Sequence, residues 1–114
     1  MQNYLPAKLL RLHFTERDRH HGKPLYEAIV EKCLELKIAG ASVFRGLEGY
    51  GGTTEIHRSH ILSHDLPIVV QIVDSEESIQ RLLPILEDMM DKGLIAMSDV
   101  NVIRVQKTAR VQNV

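Results

Sequence analysis

The chain has 114 residues, 44% hydrophobic and 25% charged, with a net charge of −1. That size suits a single domain (1–114), which buries about two-thirds of its unfolded surface and needs no disulfide or metal staple. Near-neutral charge excludes a broad basic field for nucleic acid or anionic lipid, and three Tyr, two Phe and no Trp leave little for a base-stacking platform.

Residues 7–14 open the pattern. Leu10, Leu12 and Phe14 fall on one face and Arg11 and His13 on the other, the period of a strand. Lys8 and Arg11 also interrupt the first apolar run, so no signal peptide is expected. Residues 15–23 form a polar loop holding Arg17, Arg19, His20, His21 and Lys23, which reads as solvated. The spacing of Leu25, Ala28, Ile29, Cys33 and Leu36 predicts a helix over 24–40. Pro24 suits its first position and Gly40 its left-handed end. Cys33, the single cysteine, reads as a buried small hydrophobe.

Residues 41–51 predict a second strand that runs out into a glycine-rich stretch. Residues 66–74 predict a third, nearly all apolar and β-branched, hence central and covered on both faces. Pro67 fits its first residue. Asp74 is the expected cap of a second helix, with Glu77 completing a capping box. Ile79, Leu82, Leu83, Leu86 and Met90 form the apolar stripe of that helix. Pro84 should cost about 3 kcal/mol inside it, so a kink or a break is expected. Gly93 is expected to end it. Residues 94–105 predict the last strand, with a turn at Ser98–Asp99, and 106–114 a polar tail.

The order strand, helix, strand, strand, helix, strand predicts an α+β fold. With right-handed crossovers it is a ferredoxin-like βαββαβ sandwich, an antiparallel sheet with both helices on one face. Leu9, Val43, Leu47, Val69 and Val105 are candidates for the other face. With no helix left to cover it, oligomerisation is expected.

Candidate chemistry centres on the connection between strands two and three. Four glycines fall between Gly46 and Gly52, and some fifteen residues, 49–63, link the two strands. A strand-to-strand connection usually takes about 2–5 residues, and loops this long are commonly functional. Glycines also let backbone N–H groups approach an anion. His57, His60 and His64 stand at i, i+3 and i+7, a metal-ligand spacing on a helix but not on a strand. Arg45 and Glu48 flank the loop root. Arg104, Lys107 and Arg110 lie at and beyond the last strand, and either set offers charge-assisted bonds to phosphate. No nucleophile–base pairing can be read. Ser63-His64-Asp65 has triad residue types, but triads are spatial. No run of about 18 apolar residues predicts a membrane helix, and the chain reads as cytoplasmic.

The stretches "PLYEAIVEKCLELKIAGASVFRGLEGYG", "LSHDLPIVVQIVDSEESI" and "LEDMMDKGLI" carry a resemblance from Leu9 to about Val105. The chain resembles the PII-like superfamily of signal-transduction proteins, and within it the bacterial domain-of-unknown-function one-ninety family. The resemblance implies a homotrimer with inward-packed sheets. It also implies small effectors, typically adenine nucleotides, in clefts between subunits, and no catalysis. A mobile loop would dock on a target transporter or enzyme. It implies ligand contacts at Gly49-Tyr50-Gly51 with Gly52, and at Lys92-Gly93. Typical members carry a basic residue where this chain has Glu48, and a Gly-Asp-Gly-Lys stretch where it has "KGLIAMSDVN". Lys107 and Arg110 then remain as basic groups for a phosphate, with Arg45. The alternative is a trimeric divalent-metal-responsive protein of the cation-tolerance type, using His57, His60 and His64. A small phosphate-handling enzyme ranks below both, because the glycine-rich Phe-Arg loop of acylphosphatases has no match in "TERDRHHGK".

Overall fold

The computed structural model describes residues 4–50, 57–58 and 65–107, and of 57 and 58 only the backbone. Four long strands and two helices follow the expected order: β1 (Leu5–Thr15), α1 (Leu25–Glu35), β2 (Gly40–Arg45), β3 (Pro67–Asp74), α2 (Glu76–Met89) and β4 (Leu94–Val102). The sheet runs β2-β3-β1-β4 with every neighbour antiparallel. This is the ferredoxin-like βαββαβ arrangement, and β3 is central as its composition requires.

Alternation selects the buried face. Residues opposite one another in a ladder share a face. Leu10, Leu12 and Phe14 lie opposite Ile72, Val70 and Ile68, and all six are buried. Over them pack Leu25, Ala28, Ile29 and Cys33 of α1 and Ile79, Leu82, Leu86 and Met89 of α2. Each large apolar side chain so buried contributes about 1.5–3 kcal/mol.

The second face carries Leu9, Arg11 and His13 of β1, Val69, Gln71 and Val73 of β3, and Phe44 and Leu94 on the flanking strands. Phe44 is 52% and Leu94 57% exposed. Val69 and Val73 are only half-buried, so β3 is covered on one face, not both, within a single chain. Of the five residues expected there, Leu9 and Val69 are on this face. Val43 is not, because its register opposite Val70 turns it toward the helices. Leu47 and Val105 lie past the strand ends, exposed.

Helix ends differ from the sequence expectation. Pro24 is the cap residue of α1 rather than its first turn. The helix stops at Glu35, and Lys37, not Gly40, takes the left-handed conformation with φ 59°. The Ile38 N–H donates to the Cys33 carbonyl at 2.9 Å and the Lys37 N–H to the Leu34 carbonyl at 3.1 Å, a Schellman closure. Gly40 already belongs to β2, and Leu36 is exposed.

In α2 the cap is Ser75, whose Oγ accepts from the Ser78 N–H at 3.2 Å. Asp74 instead accepts from the Ser75 N–H at 2.6 Å and the Ala39 N–H at 2.9 Å, tying the start of α2 to the approach to β2. The helix continues unbroken through Pro84. Four buried side chains outweigh a cost of about 3 kcal/mol. It ends at Met89 with Met90 as its cap, short of Gly93. β4 has no turn at Ser98–Asp99, because Asp99 is paired in register with Lys8.

Candidate functional site

Register gathers four chain ends at one edge of the sheet. Arg45 pairs with Ile68, Thr15 with Pro67 and His13 with Leu94. The end of β2, the start of β3, the end of β1 and the start of β4 therefore meet there. The connection of residues 46–66 springs from this edge. Its root is a second, two-residue ladder, Glu48–Gly49 against His57–Arg58. The strand predicted over 41–51 is thus interrupted at Gly46–Leu47.

Pro67 explains two of the glycines. Its carbonyl accepts from the Gly46 N–H at 2.8 Å. A Cβ added to Gly46 would stand 2.9 Å from Pro67 Cγ, and one added to Gly49 3.0 Å. The proline ring nests against the loop root where a side chain would sit. Gly93 answers another close approach. Its φ is +116°, and an added Cβ would collide with the His13 carbonyl oxygen. That contact seats the α2–β4 turn on β1.

Charge at this edge is organised by two carboxylates that the sequence did not single out. Glu16 Oε2 lies 2.7 Å from Arg45 Nη2, and the Glu16 side chain is only 12% exposed. The Glu16 N–H donates to the Leu66 carbonyl at 2.9 Å, which fixes the end of β1 against the start of β3. Asp18 Oδ2 accepts from the Thr15 N–H at 2.8 Å, and its Oδ1 lies 3.9 Å from Lys92 Nζ. Glu16 and Arg45 are 29 positions apart and no spacing rule links them; only the strand register does. Arg45 keeps most of its five donors free of Glu16 and is 59% exposed.

The structure brings Arg45, Glu48, Gly49, Lys92 and Gly93 to this edge, with Tyr50 beside them at 70% exposure. It does not bring Lys107. β4 ends at Val102, opposite Leu5, so Arg104 and Lys107 follow from the other end of the sheet. Gly51, Gly52, His60, His64 and Arg110 lie outside the described residues. So do most of the loop 49–63 and the tail beyond 107. His57 takes part in the short ladder rather than a loop. Among the described residues, no three His, Cys, Asp or Glu groups converge as a metal site.

Cys33 is buried in the core, and burial pushes its thiol up to about 11. It is a protonated thiol at neutral pH and no nucleophile. No helix among the described residues is long and apolar enough to cross a membrane.

A four-stranded antiparallel sheet of this order, with two helices on one face and a long connection between β2 and β3, is the fold of PII-like proteins. CPII, a nitrogen regulatory PII-like protein from Thiomonas intermedia K12 bound to ADP, AMP and bicarbonate, has the same fold. It is 19% identical, with a TM-score of 0.67 over 91% of this chain and 94% of that one. The divalent ion tolerance protein CutA1 from Ehrlichia chaffeensis is 16% identical, with a TM-score of 0.58 over 96% and 90%. The chain belongs to the DUF190 family, described as an uncharacterized ACR, whose profile matches residues 7–102. A UPF0166 protein from Aquifex aeolicus (strain VF5) is 44% identical over 100 residues, covering 84% of this chain and 92% of that protein.

Proposed function

We propose that this chain is the subunit of a homotrimeric, non-catalytic, cytoplasmic regulator of the PII type. It takes a small effector at the loop root and signals to a target transporter or enzyme through the loop 49–63. One observation carries the reading. Arg45, Glu48, Gly49, Lys92 and Gly93 gather at the edge where residues 46–50 leave the sheet, on a chain whose second sheet face stands open.

We infer that the basic residues after β4 join this arrangement across a subunit boundary. β4 has nine residues and spans roughly 27 Å, so Lys107 follows from the end of the strand opposite to the one that Lys92 precedes. A neighbouring copy packed on the open face can present Lys107 and Arg110 to the edge that holds Arg45 and Lys92. The cleft then offers a guanidinium fork and ammonium groups to a phosphate. The nucleotides in the CPII crystals favour an adenine nucleotide as effector.

Thermal unfolding with ADP, AMP or ATP tests this. A nucleotide at 100 times its dissociation constant should stabilise the protein by about 2.7 kcal/mol. Lys92→Gln and Lys107→Gln should each weaken nucleotide affinity about tenfold, which lowers the stabilisation at the same nucleotide concentration to about 1.4 kcal/mol. No stabilisation by any nucleotide would contradict the reading. A metal-responsive role, as the CutA1 likeness suggests, stands second. It predicts tight stoichiometric zinc or copper binding that is lost in His57→Ala.

A further inference from the structure

The polar loop between β1 and α1 is more ordered than its composition suggests. The Asp18 N–H donates to the Thr15 carbonyl at 3.1 Å, and the Leu25 N–H to the Asp18 carbonyl at 2.8 Å. Arg19–His20 pairs with Lys23–Pro24. The hairpin closes through His21 (φ 52°) and Gly22 (φ 80°), the two positive φ values of a type I′ turn. The His20 and His21 rings stack at 4.0 Å.

This hairpin and the first turn of α1 border an open recess of about 410 Å³ lined by Glu16, Arg17, Arg19, Pro24 and Tyr26. Small-molecule sites occupy roughly 300–1,000 Å³. The charges around the recess do not cancel. Glu16 is taken by Arg45, Asp18 by the Thr15 amide and Lys92, and Lys23 by Glu31 at 2.6 Å. Arg17 and Arg19 have no hydrogen bond or ion pair among the described residues. Two arginines whose guanidinium groups are uncommitted thus line the recess together with a tyrosine and a proline. Glu16 alone would repel an anion there, and its charge is already neutralised.

We propose that this recess binds a small phosphate-bearing ligand with a flat apolar body. The phosphate lies on the forks of Arg17 and Arg19, whose planar donors match its oxygens. The flat body lies against Tyr26 and Pro24. The site belongs to one chain and uses none of Arg45, Gly49, Lys92 or Lys107. It adjoins the effector edge through Glu16, the partner of Arg45, but is a separate set of ligand-binding groups.

Amide chemical-shift titration of the full-length, ¹⁵N-labelled protein tests it, with AMP and adenosine as probes. AMP should shift the amides of Arg17, Arg19 and Tyr26 saturably, and adenosine should bind there at least about tenfold more weakly. The double variant R17Q/R19Q, changed at two exposed positions, should lose about tenfold or more in AMP affinity at these amides. Lys107→Gln should leave these shifts unchanged, which separates this site from the effector cleft. Three results would overturn the proposal. One is no saturable shift at these amides up to about 10 mM AMP, where millimolar sites fill. The others are equal affinity for adenosine and AMP, and unchanged AMP affinity in R17Q/R19Q.

Discussion

Gly93 shows how a single residue is fixed by its neighbour rather than by its own element. It sits at φ +116° with the His13 carbonyl where a side chain would be. Gly93→Ala should therefore cost about 2–4 kcal/mol in urea denaturation, from backbone strain plus the collision. A loss below about 1 kcal/mol would mean that the turn seats itself some other way. Cys33 gives a pH-dependent counterpart. Its thiol titrates near 9 when the chain unfolds and about 11 when folded, so the folded state holds its proton longer. That contribution is fully present below pH 9 and is lost as pH rises through about 11. Wild-type stability should fall across that window by up to about 2–3 kcal/mol more than that of Cys33→Ala. Parallel alkaline profiles for the two proteins would contradict the assignment.

At the scale of elements, the two helix ends make opposite demands. Lys37 holds a left-handed conformation that costs a side-chain-bearing residue roughly 1 kcal/mol. Lys37→Gly should raise stability by about 0.5–1 kcal/mol. At the start of α2, Ser75→Ala should remove about 1 kcal/mol by leaving the Ser78 N–H without its acceptor. Both are readable as shifts in the midpoint of denaturation. The strands and the apolar stripes were legible in the sequence, because Leu10, Leu12 and Phe14 and the spacing through Ile29 and Cys33 obey local periods. The helix ends were not. Gly40 and Asp74 each carry the expected local signature, but β2 claims Gly40 for its ladder and the Ala39 amide claims Asp74. At the candidate site, Arg45 was singled out by its place at the loop root and Gly49 and Lys92-Gly93 by the resemblance, whereas the contacts of Glu16, Asp18 and Pro67 arise only through register, which no single segment encodes.

At the scale of the whole molecule, the open sheet face and the split basic residues are one problem. Phe44, Leu94 and the half-buried Val69 and Val73 leave apolar surface uncovered. A face of this kind in a small protein marks an interface. The trimer proposed above would cover it and would bring Lys107 of one copy near Lys92 of another. Assembly therefore stands beneath the proposed function, and the mass of the protein in solution tests it most directly. Light scattering on the purified chain should give about 39 kDa, three times 13.0 kDa, at micromolar concentration. Val69→Asp, which places a charge in the middle of the face, should shift the population toward the single subunit. A wild-type protein that remains at 13.0 kDa across all concentrations, with and without ADP, would contradict the account.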